Sequence, residues 1–292
     1  MADWQAVFEI LRDNGIAVSG LARPQAIGGG DINAAWSLDT ADGPVFLKTA
    51  PARDVHRFEA EADGLAELGK AGAIRVPAVL ACAASEHDAI LALEWLDLER
   101  PDRRAEMLLG EQLAALHRCS RERFGWHRDN AIGLTLQINT EDSDWVRFFR
   151  RQRLGYQLEL AGSKGFGGEL QAAGTTLDAG MDRLFEHYAP QASLLHGDLW
   201  GGNWASMNGL PVVFDPAVYY GDRESDLAMT RLFGGFGDAF YRSYEAAWPL
   251  EPGHEERLLL YQLYHVLNHL NLFGNAYLGR ALELMRRLNG RF

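Results

Sequence analysis

The sequence predicts an α+β fold of two lobes: a small antiparallel β-sheet with one helix, then a larger and mainly helical part. Short apolar, strand-like runs separated by turn residues dominate the first 95 residues. From residue 104 onward, apolar residues recur instead at helical spacing. A length of 292 residues suits one large domain or two modest lobes. We therefore expect a first lobe over residues 1–95 and a second over 96–292.

The first lobe is predicted to hold a five-stranded antiparallel sheet. Residues 3–13 have apolar side chains at near-helical spacing and predict a helix that packs across the back of this lobe. The glycine run at 28–30 predicts the tip of a β-hairpin over residues 27–38. The remaining predicted elements of this lobe are strands at 44–49, 76–82 and 89–95 and a helix at 54–68.

Amphipathic helices dominate the prediction for the second lobe. They begin near residue 104 and continue over residues 145–160, 176–188 and 256–272, the last of which we take as the final long helix. Residues 162–174 are predicted as a loop. The arginines of the 145–160 helix are expected to be solvated or paired with acids: Arg147, Arg150, Arg151 and Arg153.

One polar loop carries most of the residues that can do chemistry. His196 and Asp198 are followed by Asn203, and Asp215 comes after a short hairpin that turns at Asn208-Gly209. Strand-like segments bracket this loop, so these side chains should meet at one edge of a cleft. The spacing matches the base and metal ligands of kinases, in which a carboxylate accepts the proton of the attacking hydroxyl. An amide oxygen and a second carboxylate hold Mg²⁺ on the phosphates of ATP. The loop therefore predicts a protein-kinase-like phosphotransferase.

A phosphate-positioning lysine is predicted in the first lobe. Lys48 ends an apolar strand, as does the kinase lysine that pairs with the nucleotide phosphates. Glu59 and Glu61 lie on the helix that follows, and one of them should pair with Lys48. The glycine run would allow backbone N–H groups to close over phosphates, although on its own it predicts only a flexible hairpin. Residues 93–96 fit a hinge whose backbone groups could bind an adenine.

The segment after Asp215 is too short for a phosphorylated activation loop. Gly197 also occupies the position where protein kinases place an arginine before the catalytic Asp. Both features predict a small acceptor and no phosphorylation switch. Asp226, at the start of a helix, is interpreted as an anchor for the backbone of the polar loop. His117 is interpreted as a packed structural histidine.

The composition is that of an ordinary globular protein, with 47% hydrophobic and 23% charged residues. The net charge of −12 argues against a nucleic-acid or acidic-membrane partner. Two cysteines cannot form a disulfide framework, and the first residues lack the features of a signal peptide. No apolar run approaches the roughly 20 residues that span a bilayer. These features predict a cytoplasmic protein.

Several stretches of this chain together resemble the fructosamine/ketosamine kinase family. The central stretch is Leu194–Asn203, which resembles the family's LHGDLWSGN run with Gly201 where Ser is usual. The tryptophan after His-Gly-Asp-Leu separates this pattern from aminoglycoside and choline kinases. Further matching stretches are 58–61, 129–133 with Gln137 and Asn139, 214–217, 232–236, and 261–263 with Asn268 and His269. The resemblance implies an ATP- and Mg²⁺-dependent kinase that phosphorylates the 3-hydroxyl of ketosamines, either free small molecules or glycated protein lysines.

The resemblance also implies roles for individual residues. Asp198 would be the base, and Asn203 and Asp215 the Mg²⁺ ligands. Trp200 and His269 would contact the ketosamine. From the residues themselves, the polar side chains that interrupt the apolar face of the 256–272 helix are interpreted as lining a pocket for a hydroxylated substrate: His265, Asn268, His269 and Asn271. The nucleotide would be bound by the phosphate loop, the lysine pair and the hinge: Gly28, Gly29, Gly30, Asp31, Asn33, Lys48, Glu61, Glu94 and Leu96.

Two alternative functions fit the same residues. A kinase of another small alcohol, such as an aminoglycoside or choline, would use the same polar loop and lysine. A nucleotide-binding pseudokinase would keep the fold without turnover, although the intact Lys48, Asp198, Asn203 and Asp215 argue against it. The sequence leaves the preferred sugar open among fructosamine, ribulosamine and erythrulosamine.

Overall fold

The computed structural model describes residues 2–28 and 34–292. It confirms an α+β fold in which an antiparallel sheet is followed by a mainly helical part. The sheet has the strand order β1-β2-β3-β5-β4. Its strands are β1 (Gln25–Ile27), β2 (Ala34–Thr40), β3 (Gly43–Pro51), β4 (Val79–Ala84) and β5 (Asp88–Glu94).

Helix α1 (Trp4–Asp13) covers one face of the sheet. Asp3 begins it by accepting hydrogen bonds from the backbone N–H groups of Gln5 and Ala6. Its apolar face packs against alternate residues of β3 and β5, including Val45 and Leu47. Side chains alternate across a strand. Because Val45 and Leu47 face α1, the side chains of Phe46 and Lys48 point to the opposite face.

Helix α2 (Val55–Ala71) covers that opposite face. Phe58 and Leu65 of α2 lie in the same core cluster as Leu91 and Leu93 of β5. This core continues into the helical part of the molecule. The helix ends at Gly72, whose φ of 64° is in the left-handed region that favours glycine.

Eight helices of the second part follow one another along the described chain. They are α3 (Arg103–His117), α4 (Trp145–Phe149), α5 (Tyr156–Ser163), α6 (Glu169–Gly180), α7 (Glu224–Thr230), α8 (Asp238–Ala247), α9 (His254–Phe273) and α10 (Leu278–Asn289). A π-helical segment over Arg150–Gly155 joins α4 to α5. Within the described ranges, no helix is both long enough and apolar enough to cross a membrane.

Short strands carry the polar loop predicted to be catalytic. Strand β9 (Ala192–Leu195) pairs with β6 (Ser120–Arg121) and β12 (Tyr219–Gly221), and β7 (Asn130–Ile132) pairs with β8 (Thr135–Gln137). Between β9 and β12 lies the hairpin of β10 (Trp204–Met207) and β11 (Leu210–Val213). Its predicted turn is present, with φ of 52° at Asn208 and 73° at Gly209. The hairpin brings the two ends of the polar loop side by side.

Two helix predictions for the second part are wrong. Residues 162–174 are not a loop throughout, because α6 begins at Glu169. Gly174 lies within this helix and Gly180 is its last residue. Both are packing positions, since a Cβ would lie 2.7 Å from Leu158 at Gly174 and 2.2 Å from Phe292 at Gly180. The 256–272 segment is not the final long helix, because α10 follows it with Ala281, Leu284, Met285 and Leu288 buried.

The expectation that Arg153 is solvated or paired with an acid is also wrong. Its side chain is fully buried, and Nη2 donates to Asn139 Oδ1 at 2.7 Å. The guanidinium carbon lies 4.1 Å from the ring centroid of Tyr219 and 4.7 Å from that of Phe148. Aromatic faces and neutral oxygens therefore compensate this buried charge.

Candidate active site

A cleft of about 1200 Å³ lies between the sheet and the helical part. Phe46 and Lys48 of β3 and Glu61 of α2 line it from one side. Asp198, Asn203 and Asp215 of the polar loop line it from the other side. The predicted convergence of these side chains on one cleft is therefore present in the structure.

Lys48 joins the two sides of the cleft. Its ammonium lies 2.7 Å from Glu61 Oε1 and 2.6 Å from Asp215 Oδ1. Of the two glutamates considered from the sequence, Glu61 is therefore the partner of Lys48. Burial by itself would lower the pKa of Lys48, but the two carboxylates raise it above its ordinary value. Lys48 is thus a fixed cation in the cleft.

Charged side chains tie α2 to the second part of the molecule along its length. Arg128 donates to Glu59 Oε2 at 3.3 Å and to Asp63 Oδ2 at 2.5 Å. One helical turn further on, Glu67 Oε1 accepts hydrogen bonds at 2.7 Å from Arg121 and from the hydroxyl of Tyr220. These contacts hold the helix that carries Glu61, and they join segments far apart in sequence.

Asp198 lies beside Asn203 at the floor of the cleft. Asn203 Nδ2 donates to the backbone oxygen of Asp198 at 2.9 Å and approaches Asp198 Oδ2 at 3.4 Å. Burial, followed by repulsion from Asp215 and Asp226, raises the pKa of Asp198 to about 7. A carboxyl group with such a pKa can exchange protons near neutral pH, as a general base must.

Asp226 anchors the polar loop, as the sequence predicted. Its Oδ2 accepts the backbone N–H of His196 at 2.8 Å, and its Oδ1 accepts that of Gly197 at 2.8 Å. His117 Nε2 lies 3.2 Å from Asp226 Oδ2, and its Nδ1 lies 2.8 Å from the Tyr244 hydroxyl. His117 is therefore a buried structural residue that holds Asp226 in place.

His196 connects the polar loop to the segment that carries Asp215. Its Nε2 lies 3.0 Å from the carbonyl oxygen of Phe214, which can only accept a hydrogen bond. Its Nδ1 accepts the backbone N–H of Asp198 at 3.3 Å. Burial lowers the pKa of His196, which favours the neutral ring that this pattern requires. His196 thus positions Asp198 and Asp215 relative to each other.

Gly197 cannot be replaced by a residue with a side chain without a clash. Its φ is 83°, and a Cβ at this position would lie 2.0 Å from the backbone oxygen of Ala217. The glycine at the position of the kinase arginine is therefore required by the close approach of two backbone segments.

The oxygen atoms of Asp215 and Asn203 are suitable ligands for a magnesium ion. Asp215 adopts a φ of 55°, a strained value for a residue other than glycine, between β11 and β12. The Asn203 side chain donates three hydrogen bonds through Nδ2, and its Oδ1 accepts none from the described residues, so this oxygen is available as a ligand. A carboxylate and an amide oxygen, completed by phosphate oxygens and water, suit Mg²⁺. Within residues 2–28 and 34–292, three or more His, Cys, Asp or Glu side chains do not converge as a separate metal cluster.

The predicted nucleotide contacts fall partly within the cleft. Gly28, Glu94 and Leu96 line it, whereas Gly29, Gly30, Asp31 and Asn33 lie outside the described residues. The backbone N–H of Glu94 donates to Ala78 O at 2.9 Å, and its carboxylate binds Arg75 at 2.6 Å. The backbone N–H of Glu94 is therefore occupied by Ala78 and is not available to bind an adenine.

Trp200, His269 and Asn268 also line the cleft. His269 Nδ1 lies 2.8 Å from the carbonyl oxygen of His265, so Nδ1 carries the proton. Burial lowers the pKa of His269, which leaves Nε2 as a hydrogen-bond acceptor. His265 and Asn271 were also expected in this pocket, but neither lines the cleft, and Asn271 binds Gln157 instead.

Several residues that line the cleft were not predicted from the sequence. Leu98, Met229, Phe273 and Tyr277 line it, although none of them was singled out. Phe273 ends α9 just before Gly274, which is a local signal for a helix end and not for a site.

The fold has counterparts among solved structures. The structure is similar to that of a mutant of the aminoglycoside phosphotransferase APH(4)-Ia, with a TM-score of 0.63 and 15% identity over 96% of this chain and 94% of the other. This likeness shows the fold alone, which is that of the protein-kinase-like phosphotransferases.

The family follows from the sequence and from closer structures. The profile of the fructosamine kinase family matches residues 3–290. A protein named probable ketoamine kinase from Synechocystis sp. is 39% identical, over 98% of this chain and 97% of that protein. The chloroplastic protein-ribulosamine 3-kinase of Arabidopsis thaliana is 40% identical, over 89% and 80%.

A solved structure named as a fructosamine-3-kinase, from Haemophilus somnus, superposes with a TM-score of 0.88 at 29% identity, over 98% of this chain and 97% of the other. The chain belongs to the fructosamine kinase family. It is a phosphotransferase, and membership of this family implies that it uses ATP.

Proposed function

We propose that the protein transfers the γ-phosphoryl group of ATP to the 3-hydroxyl of the ketose in ketosamines. In this reaction the hydroxyl oxygen bonds to the γ-phosphorus, the bond from that phosphorus to the β–γ bridging oxygen breaks, and ADP leaves. The hydroxyl proton passes to a base. The observation that carries the proposal is the convergence of Lys48, Asp198, Asn203 and Asp215 on one cleft in a chain of this family.

Asp198 is proposed as the base. Its carboxyl group lines the cleft, and a pKa of about 7 allows it to accept the hydroxyl proton near neutral pH. Asn203 supports this carboxyl group from one side, and the backbone bonds to Asp226 hold the loop that carries it. Positioning of the hydroxyl by fixed groups supplies much of the rate in phosphoryl transfer.

Lys48 and Glu61 are proposed to position the phosphates. The Lys48 ammonium is buried and charged, and it forms an ion pair with the Glu61 carboxylate at 2.7 Å. In the described structure the second contact of Lys48 is Asp215. When ATP binds, phosphate oxygens offer Lys48 a stronger partner, which would release Asp215 for a metal ligand role.

Asn203 and Asp215 are proposed to hold Mg²⁺. The cleft places the acids Glu61, Asp198 and Asp215 near the cation Lys48, so a bound cation would offset the excess negative charge. Bound Mg²⁺ neutralises phosphate charge.

The names of the relatives support a ketosamine acceptor. The family profile names fructosamine, and the Arabidopsis relative is named for ribulosamine. Trp200 and His269 provide an aromatic face and a hydrogen-bond acceptor beyond Asp198, which suits a sugar carrying an amine. Either a free ketosamine or a glycated protein lysine would present this group.

A panel of acceptors tests the proposed function. Purified protein with ATP and Mg²⁺ is supplied with fructosyl-, ribulosyl- and erythrulosyl-lysine, an aminoglycoside and choline, and ADP release is measured for each. The phosphate is then located on the product by two-dimensional ¹H–³¹P NMR. We expect turnover of at least one ketosamine, with the phosphate on O3. Turnover of only the aminoglycoside or choline would contradict the proposal, and so would ATP binding without transfer to any acceptor.

A further inference from the structure

The exposed aromatic side chains of this protein are concentrated at one place. All 8 tryptophans and 14 phenylalanines lie in the described residues, and only three of them are exposed: Trp200, Phe233 and Phe273. All three line the cleft. We call these three residues the aromatic rim. Exposed apolar patches of this kind often mark binding sites for ligands or partners.

Ring contacts join two members of the rim through His269. The ring centroid of His269 lies 4.6 Å from that of Phe233 and 5.5 Å from that of Phe273. Tyr277 adds a further ring at 5.2 Å from His269. Phe233, His269 and Phe273 therefore form one continuous wall.

Trp200 is brought to this wall by a close backbone contact. A Cβ on Gly235 would lie only 2.6 Å from the Cα of Gly201. The loop that carries Phe233 thus touches the loop that carries Trp200 and, two residues earlier, Asp198. A serine at position 201 would bring its Cβ to 3.0 Å from Gly234 O, so glycine at this position favours the close approach. The rim therefore begins next to the proposed base.

The charges around the cleft disfavour an anion at the rim. Among the described lining residues, the basic side chains are Lys48 and Arg57, and both belong to the first lobe. The acidic ones include Asp97, Glu99 and Asp198. A secondary amine is protonated at neutral pH, and aromatic faces and carboxylates both attract such a cation. A carboxylate close to that amine would enter a cleft in which, among the described lining residues, six acidic side chains face two basic ones.

We propose that the aromatic rim binds the substituent on the amine nitrogen of the ketosamine, and that the enzyme prefers apolar substituents over hydroxylated and anionic ones. This inference rests on the proposed function and specifies its substrate class. The ketose enters toward Asp198, and the group carried by the nitrogen lies against Trp200, Phe233 and Phe273. The rim, and not the part of the site that binds the sugar, therefore determines which nitrogen substituent is preferred.

Three adducts of one sugar test this inference: fructosyl-benzylamine, fructosyl-ethanolamine and fructosyl-glycine. They share the reacting hydroxyl and differ only in the nitrogen substituent, which is apolar, hydroxylated or anionic. We expect kcat/KM to be about tenfold higher for the benzylamine adduct than for the ethanolamine adduct, a typical discrimination for an apolar subsite. The glycine adduct should be the poorest substrate.

Variants then locate the preference. Phe233→Ala and Phe273→Ala should each lower the benzylamine-to-ethanolamine ratio of kcat/KM, and the double variant should bring the ratio close to one. Because both values of kcat/KM come from the same variant, their ratio is not changed by a loss of activity that affects both adducts equally. Leu21→Ala, which removes an exposed side chain outside the cleft lining, should keep the wild-type ratio. Thermal melting checks that each variant folds.

The possible outcomes separate this inference from the proposed function. Turnover of all adducts with equal kcat/KM would overturn the inference alone, as would a ratio that the double variant leaves unchanged. A wild-type preference for the glycine adduct would also overturn it. If none of the ketosamines is phosphorylated, both the proposed function and this inference are wrong.

Discussion

Lys48 Nζ lies 2.6 Å from Asp215 Oδ1, although 167 residues separate the two in sequence. The contact joins the central strand of the sheet to the polar loop of the second part. Because Glu61 holds the same ammonium at 2.7 Å, the lysine is fixed between two acids that belong to different elements. The position of Lys48 in the cleft therefore depends on both the sheet part and the helical part of the molecule.

Replacing Lys48 by methionine should lower kcat/KM for ATP by about 100-fold or more, as loss of a charge-stabilising group does in other enzymes. It also leaves Glu61, whose side chain is only 14% exposed, without its cation, so the melting temperature should fall. Steady-state kinetics and thermal melting measure both effects. The exposed Lys70 provides a matched control in Lys70→Met. Unchanged kinetics in Lys48→Met would assign phosphate positioning to another residue.

Replacing Gly197 by alanine should unfold or strongly destabilise the protein, because the new Cβ would overlap the backbone oxygen of Ala217 at 2.0 Å. Gly209→Ala is a matched control, since Gly209 has a similar φ of 73° but no atom within 4 Å of the point where its Cβ would lie. The control should lose only the cost of backbone strain, about 1–3 kcal/mol. Chemical denaturation measures both. Equal losses in the two variants would show that the close approach to Ala217 does not matter.

Replacing Asp226 by asparagine should lower both stability and activity. Both carboxylate oxygens of Asp226 accept backbone N–H groups, and an asparagine amide would turn an NH₂ group toward one of them. The unsatisfied group should cost about 1–3 kcal/mol of unfolding free energy. Because the loop carries Asp198, kcat should fall as well. Asp238→Asn, at an exposed position, is the control. Wild-type kcat in Asp226→Asn would contradict the anchoring role.

Activity should depend on the protonation of Asp198. Its carboxyl group, with a pKa of about 7, must be ionised to act as a base. We therefore expect kcat/KM to rise about tenfold per pH unit below pH 7 and to level off above it. A profile measured from pH 5.5 to pH 8.5 checks this. A flat profile across pH 7 would exclude Asp198 as the group whose ionisation limits the reaction.

The same raised pKa predicts the direction of a stability effect. Between the unfolded pKa of about 3.9 and the folded pKa, the folded state binds more protons at Asp198 than the unfolded state does. The contribution of Asp198 to stability is therefore lost as pH rises through this window. Asp198→Asn removes the titration, so this variant should melt higher than the wild type at pH 8 and similarly at pH 4. A lower melting temperature at pH 8 would contradict the raised pKa.

The sequence alone predicted the parts of the site that local patterns encode. The strand–loop–hairpin pattern around Asp198, Asn203 and Asp215 and the position of Lys48 on a strand both correspond to the structure. Asp226 was predicted as the anchor because an acid at a helix start commonly accepts backbone N–H groups. These features depend on residues close together in sequence or on a known spacing.

Features that depend on tertiary packing were missed. Arg153 fits a solvated helix face by its spacing, and only the rings of Phe148 and Tyr219 around it explain why it is buried. Residues 162–174 were predicted as a loop, but Gly174 lies in a helix, where the side chain of Leu158 occupies the space that a Cβ would need. The ion pairs of Arg128 with α2 and the exposure of Phe273 are likewise set by contacts between distant segments.

The central claim is that Asp198 accepts the proton of a ketosamine hydroxyl during phosphoryl transfer. It is tested most directly by measuring the kcat for ketosamine phosphorylation in the wild type and in Asp198→Asn, under saturating ATP and Mg²⁺ at pH 8. We expect a kcat lower by about 10²–10⁴-fold in the variant, the usual range for loss of a general base, with the fold retained. A variant kcat within about threefold of the wild type, less than any general-base effect, would contradict it.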